Sequence, residues 1–486
     1  MNKPIRTLSL FCGLLFLVLL GNATYLQYFK ADSLSQSSLN RRVIEASFAR
    51  ERGAILVDGE PVARSVKSDD RYKWQRRYPQ GPLYAHETGW FSFFSQSGIE
   101  RSRNSILSGD DEQLFIPRLA DLLSSGEPKG GSVELTLDPA AQRAAYDGLQ
   151  ALGEGIQGSV VAIEPATGRI LAMVSLPSYD PNRLASHDLS KVSQADRQLE
   201  DRKDQPKLNR SIRTTLPPGS TFKLVTAAAA IENGLYDAES MVPAGAGYQL
   251  PQSSAVVHNS TGSACNPDRI TLKYALEWSC NTTFAKIAVE LGNEKMKKMA
   301  EAFGFNDTAL ADLGGQVESV YPTLDKPQTG LSGFGQSDVR ATPLQMAMVA
   351  AGIANSGVLM TPHLVDELRS PNFDSLDKTD PTTYRRAISA ATARQLTDMM
   401  VGVVEQGTAG SAAIPGIRVA AKTGTAQTGR DDISNYAWFT SFAPADDPQV
   451  AVAVMIQNSQ RSNDEISGGG LAGPIAKAVM EAVIGQ

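Results

Sequence analysis

The chain has 486 residues, 42% of them hydrophobic and 20% charged, with a formal net charge of −6. That length exceeds one ordinary domain and predicts about two or three folded units with real cores. The negative balance, with no long basic stripe interleaved with aromatics, excludes a general nucleic-acid binder, and four scattered histidines (His86, His187, His258, His363) lack metal-ligand spacing.

The chain opens on a short basic stretch, MNKPIR, followed from Thr7 to Phe29 by residues with no formal charge. Leu8 to Leu20 alone has the length of a cleaved signal peptide. Apolar character then resumes through Tyr25, Leu26, Tyr28 and Phe29, side chains that suit a membrane interface, so an uncleaved signal anchor over residues 1–29 is expected. Lys3 and Arg6 place the N-terminus in the cytoplasm and the rest outside. Cys12 falls in the anchor. Cys265 and Cys280 are an even pair in an oxidising compartment. They form either a bridge, worth about 3 kcal/mol in the chain-entropy model, or two buried free thiols.

Residues 30–132 form the next unit. It begins with a polar lead-out, SLSQSSLN (Ser33 to Asn40), and ends in a linker, SSGEPKGGS (Ser124 to Ser132). Between them the sequence is charge-balanced with short apolar runs such as GAILVDGEPVARS, which predicts a small, irregular, strand-rich domain. Residues 133–486 are the third unit. VELTLDPAAQRAAYDGLQAL predicts a strand and an amphipathic helix started by Asp138-Pro139. SVVAIEPATGRILAMVS (Ser159 to Ser175) predicts a hairpin. Three more strands follow late, in IRVAAKTGTAQ, YAWFTSFAP and QVAVAVMIQN, and GPIAKAVMEAVI closes the chain as a helix from Pro474. The stretch between is mostly helical. Strands early, helices in the middle and strands late predict an α+β unit, with one antiparallel sheet closed by both ends of the segment and helices on its faces.

Three short patterns carry chemistry. In PPGSTFKLVTAAAA, a Pro-Pro-Gly break places Ser220 in the first turn of a helix and Lys223 three residues on, on the same face. A serine hydroxyl needs a base to become a nucleophile. Unpaired N–H groups at a helix start favour a developing oxyanion. The same spacing recurs at Ser375 and Lys378, with polar neighbours, where a solvated loop is expected. The second pattern is Ser279-Cys280-Asn281; Ser38-Leu39-Asn40 and Ser102-Arg103-Asn104 match it by chance. The third is Lys422-Thr423-Gly424-Thr425, on a predicted strand with a small residue where a ligand backbone must approach.

S-x-x-K, S-x-N and K-T-G in this order are the signature of penicillin-binding proteins and serine β-lactamases, and the chain resembles that superfamily. RERGAIL near Arg50, LTLDPAAQ, AIEPATGRILAMVS, PPGSTFK and GFGQSDVRATPLQMA resemble the class B penicillin-binding proteins, most of all their short actinobacterial type. The resemblance implies a transpeptidase fold with a central five-stranded antiparallel sheet, an N-terminal pedestal and one membrane helix. It implies Ser220 as the acylated nucleophile, Lys223 as its neutral general base and Ser279 as a proton relay. Asn281 would hold Lys223 and bind the substrate amide. Lys422, Thr423 and Thr425 would receive the substrate carboxylate beside Gly424, and the N–H groups of Ser220 and Thr425 would form the oxyanion hole. A side chain at Cys280 pointing away from the cleft toward Cys265 would pin the motif loop. The implied substrates are peptidoglycan stem peptides ending in D-Ala-D-Ala, with β-lactams as their mimics. No cofactor or metal is implied, and a membrane-embedded glycan polymerase of the SEDS family is the expected partner. The competing readings are a β-lactamase or β-lactam sensor, a D,D-carboxypeptidase, and a scaffold of a division or elongation complex.

Overall fold

The computed structural model describes residues 3–30, 45, 48–114, 129–429 and 433–485. The lead-out, its Ser38-Leu39-Asn40 match and the first part of the linker lie outside the described residues. Helix α1 (Lys3–Tyr28) has 26 residues, none buried, and a window of mean hydropathy 1.9. At ~1.5 Å per residue it spans ~39 Å, more than the ~30 Å of a bilayer's hydrocarbon core.

Two sheets follow. Their early strands are β1 (Ile55–Val57), β2 (Glu60–Lys67), β3 (Trp74–Arg77), β4 (Ser132–Leu135), β5 (Gln157–Ile163) and β6 (Ile170–Leu176). The later ones are β7 (Val365–Arg369), β8 (Ser375–Lys378), β9 (Ala420–Ala426), β10 (Tyr436–Ala443) and β11 (Val450–Asn458). The first sheet has six strands in the order β8-β7-β4-β1-β2-β3. The expected boundary at 132/133 therefore runs through β4, which pairs parallel with β1 and antiparallel with β7. Strands from residues 365–378 complete a sheet that local reading assigns to the N-terminal unit alone. Ser375 to Lys378 is accordingly an edge strand rather than the expected solvated loop, with Glu367 opposite Lys378. Its polar composition reflects the exposure of an edge.

Beneath this sheet Glu100 is fully buried between Arg52 and Arg76, each Nε 2.6 Å from one carboxylate oxygen, and the Tyr78 hydroxyl donates to it at 3.0 Å. Burial alone would raise the Glu100 carboxyl; the Arg76 and Arg52 guanidiniums outweigh it and hold the carboxyl below its usual range. This triad gives RERGAIL its structural meaning. Arg103, in the chance match Ser102-Arg103-Asn104, pairs with Asp312 at 2.6 Å, and that carboxylate also accepts from the backbone N–H of Leu364.

The second sheet is antiparallel throughout, in the order β9-β10-β11-β5-β6, so the hairpin from the start of the third unit and the three strands from its end close one sheet. Helix α2 (Pro139–Gln150) starts where Asp138 accepts from the Ala141 N–H at 2.7 Å. The central helices include α3 (Lys223–Glu232), α4 (Leu272–Glu277), α5 (Asn281–Leu291), α6 (Pro343–Ala354) and α7 (Ala390–Glu405); α8 (Gly473–Ile484) closes the chain. Helices α2 and α8 pack together against β6 and β11, while α6, buried along nearly its whole length, packs against β11, β5 and β10. This is the α+β architecture the strand and helix order predicts. Strand β9 lies at the sheet's edge, next to the turn that carries Ser220.

Candidate active site

The segment before Ser220 is fixed by backbone pairing. Leu216 and Ala341 exchange N–H···O bonds at 3.0 and 2.8 Å, and the Gly219 N–H donates to Gly335 O at 3.0 Å. Gly335 has φ +73°, and a Cβ there would stand 2.1 Å from Gly219 O, so only glycine lets these two strands of chain approach. Ser220 sits in a 3₁₀ turn, Gly219–Phe222, and the α-helix begins only at Lys223. The expected helical first turn is thus a tighter one. In it residues three apart stand nearly above one another, which keeps Ser220 and Lys223 on one face.

Every residue of α3 from Lys223 to Ala230 is buried, which carries the amine of Lys223 into the interior. Its Nζ donates to Ser279 O at 2.6 Å and to Asn281 Oδ1 at 2.7 Å, lies 3.1 Å from Ser279 Oγ, and stands 5.6 Å from the centre of the Phe284 ring. Two N–H groups with carbonyl acceptors are what a neutral amine offers, with its lone pair left over. Ser279 has φ +57°, a sparsely populated conformation for serine, which accompanies the turn of its carbonyl onto Lys223. Asn281 starts α5, and its Nδ2 donates to His258 O at 3.1 Å, leaving Oδ1 for the lysine.

Strand β9 brings the third pattern. Lys422 is fully buried, and its Nζ donates to Ser279 Oγ at 2.9 Å and to Thr423 O at 3.0 Å. The Ser279 hydroxyl therefore lies between two buried amines. Burial, then the charge of Lys422, push Lys223 well below the usual lysine range, and burial brings Lys422 down to about 7. Among the described residues no carboxylate compensates either amine. A Cβ on Gly424 would stand 3.0 Å from Pro218 O, so β9 passes against the start of the Gly219–Phe222 turn.

Ser220, Ser279, Asn281, Thr423 and Thr425 line one cavity of about 730 Å³, with the two lysines beneath it. Cys265 and Cys280 are joined by a disulfide, with their Cα atoms 5.6 Å apart. It ties the loop carrying Ser260 and Thr261, which also line the cavity, to the residue between Ser279 and Asn281. Sequence reasoning missed Thr408, Ser411 and Gly468 to Gly470 in the cavity wall, and Gly335 behind it. The available signals were the glycine clusters EQGTAGS and SGGGLAG and the quoted GFGQ segment, whose glycines mark close chain approaches.

Residues 158–481 match the family pattern described as the penicillin binding protein transpeptidase domain, and residues 52–133 match the penicillin binding protein A dimerisation domain. The chain belongs to the penicillin-binding protein transpeptidases. Among its relatives, "Peptidoglycan D,D-transpeptidase PbpA" of Mycolicibacterium smegmatis is 43% identical over 100% of this chain and 99% of that protein. The protein of the same name from Mycobacterium tuberculosis is 41% identical over the same shares. Among solved structures, penicillin-binding protein A from M. tuberculosis as a ceftriaxone acyl-enzyme complex superimposes with a TM-score of 0.87 at 40% identity. That match covers 90% of this chain and all of the other. Its penicillin G acyl-enzyme complex gives 0.84 at the same identity and coverage. This penicillin-binding protein is thus of class B, similar to the PbpA type along its whole length.

Proposed function

We propose that this penicillin-binding protein crosslinks peptidoglycan stem peptides through an acyl-enzyme on Ser220. The observation that carries the reading is the pair of buried lysines sharing the Ser279 hydroxyl, which lines one cavity with Ser220. A neutral Lys223 takes the Ser220 proton as Oγ attacks the carbonyl of the penultimate D-Ala. The N–H groups of Ser220 and Thr425 receive the developing oxyanion. The proton passes from Lys223 through Ser279 to the departing nitrogen, the C–N bond breaks, and terminal D-Ala leaves. An amine of a neighbouring stem then attacks the ester, gives its proton back along the same path, and Ser220 is released with a new amide formed.

The edge of β9 supports a substrate lying as an added strand, with its carboxylate toward Thr423 and Thr425 and the charge of Lys422 behind them. A β-lactam opened by Ser220 keeps its leaving amine tethered, which blocks the acceptor. We place the catalytic unit outside the membrane, with α1 as a single-pass anchor whose Lys3 and Arg6 keep the N-terminus cytoplasmic. The first sheet then forms a pedestal beside a SEDS-family glycan polymerase, the partner the resemblance implies. The test is intact mass of the detergent-solubilised chain with penicillin G, beside Ser220→Ala. A persistent adduct mapping to Ser220 and absent from the variant is expected. An adduct elsewhere, or rapid drug turnover, would overturn the reading.

A further inference from the structure

Thr408 lies just beyond α7, outside the three patterns. Its hydroxyl is 2.7 Å from that of Thr423, and both side chains line the cavity. The position of Thr408 is set from two sides. A Cβ on the preceding Gly407 would stand 2.3 Å from Glu277 O, two residues before Ser279. A Cβ on Gly469 would stand 2.7 Å from Thr408 O. The short Gly407-Thr408 segment is therefore wedged between the Ser279 loop and the opposite wall of the cleft, and its hydroxyl meets strand β9.

We propose that Thr408 is a positioning residue for recognition of the substrate's terminal carboxylate; this rests on the Ser220 acyl-transfer reading above. A hydroxyl has one proton to donate and two lone pairs to accept with. A carboxylate only accepts, so Thr423 must spend its single proton on it. The Thr423 oxygen must then accept, and the Thr408 hydroxyl is the donor in place. Were Thr423 to donate to Thr408 instead, it would have no proton for the substrate. Thr408 thus sets the direction of the hydrogen-bond chain from Thr408 through Thr423 to the carboxylate. A chain ending on a charge is stronger than a neutral one. The Thr408 hydroxyl bonds Thr423, and the hydrogen bonds of Lys223 and Lys422 go to other groups, so its effect is on carboxylate selectivity rather than on the chemical step.

The test is the second-order rate of Ser220 acylation of the full chain in detergent, by intact mass, with penicillin G and with its methyl ester, which carries no anionic carboxylate. In Thr408→Val, which keeps the shape and removes the hydroxyl, the rate with the free acid is expected to fall about 3- to 10-fold. The rate with the ester should change less than about 2-fold, so the acid-over-ester preference falls. Thr408→Ser should retain the wild-type preference, and Thr408→Ala should lose it as the valine does. An equal loss on acid and ester would show a merely structural role and overturn the proposal, as would an unchanged preference in Thr408→Val. Wild-type chain that forms no Ser220 adduct with either probe would overturn this proposal and the acyl-transfer reading together, whereas a normal wild-type preference left intact by Thr408→Val would overturn this one alone.

Discussion

Replacing Lys422 by Met should stabilise this protein while disabling it. Burial brings the Lys422 amine to about 7, whereas an unfolded lysine titrates near 10.4. Between those two values the unfolded chain holds a proton that the folded chain has shed, so wild-type stability rises with pH across that window. At pH 7, at ~1.4 kcal/mol per pKa unit, the burial of this one amine costs the folded state ~4 kcal/mol. Methionine of similar length removes that cost. It also removes the donor to Ser279 Oγ and Thr423 O, which costs ~1–2 kcal/mol. The expected balance is a gain of ~2–3 kcal/mol at pH 7 that shrinks toward zero, or reverses, as pH approaches ~10 and the unfolded lysine also loses its proton. Urea unfolding of the full chain in detergent, followed by tryptophan fluorescence, to which the fully buried Trp438 contributes, measures it at pH 7 and pH 9.5. Penicillin acylation by the variant should be reduced at both. A variant less stable than wild type at pH 7, or a stability difference that does not change between the two pH values, would refute the reasoning that Lys422 is held in the fold against its solvation.

Asn281→Ala removes an acceptor from Lys223 and the link to His258 O; acylation by penicillin G, read by intact mass, should fall about 10²-fold or more, with a loss of about 1–2 kcal/mol in urea unfolding. Reducing the Cys265–Cys280 bridge opens a loop with a sequence separation of 15, which should lower stability by about 3 kcal/mol, read as a shift of the urea midpoint between oxidised and reduced chain. Gly335→Ala forces a Cβ to within 2.1 Å of Gly219 O at a φ of +73°. It should cost at least ~1–3 kcal/mol and slow acylation, since the displaced backbone is the one that carries Ser220.

Much of the fold is legible in the sequence because it is local. The long uncharged stretch of α1, the short apolar runs of β5, β6, β10 and β11, and the Asp138-Pro139 start of α2 each follow from neighbours within a few residues. The site residues are legible as patterns, since spacing within one turn or one strand fixes which side chains share a face. Pairing over long range is not legible in this way. Strands β7 and β8 join a sheet more than two hundred residues earlier in the chain, and nothing in the polar stretch Ser375 to Lys378 separates an edge strand from a loop until β7 lies beside it.

Residue order alone sets which groups are available: a serine and a lysine three residues apart, a serine and an asparagine around a cysteine, and a lysine with threonines one and three residues on. Tertiary structure alone decided their state. It set Ser279 between two amines from residues 223 and 422. It buried both amines and held the Thr408 hydroxyl against Thr423. The reason is that protonation and hydrogen-bond direction depend on the solvent excluded and the charges facing a group in space, and those are supplied by segments that the chain brings together only when it folds.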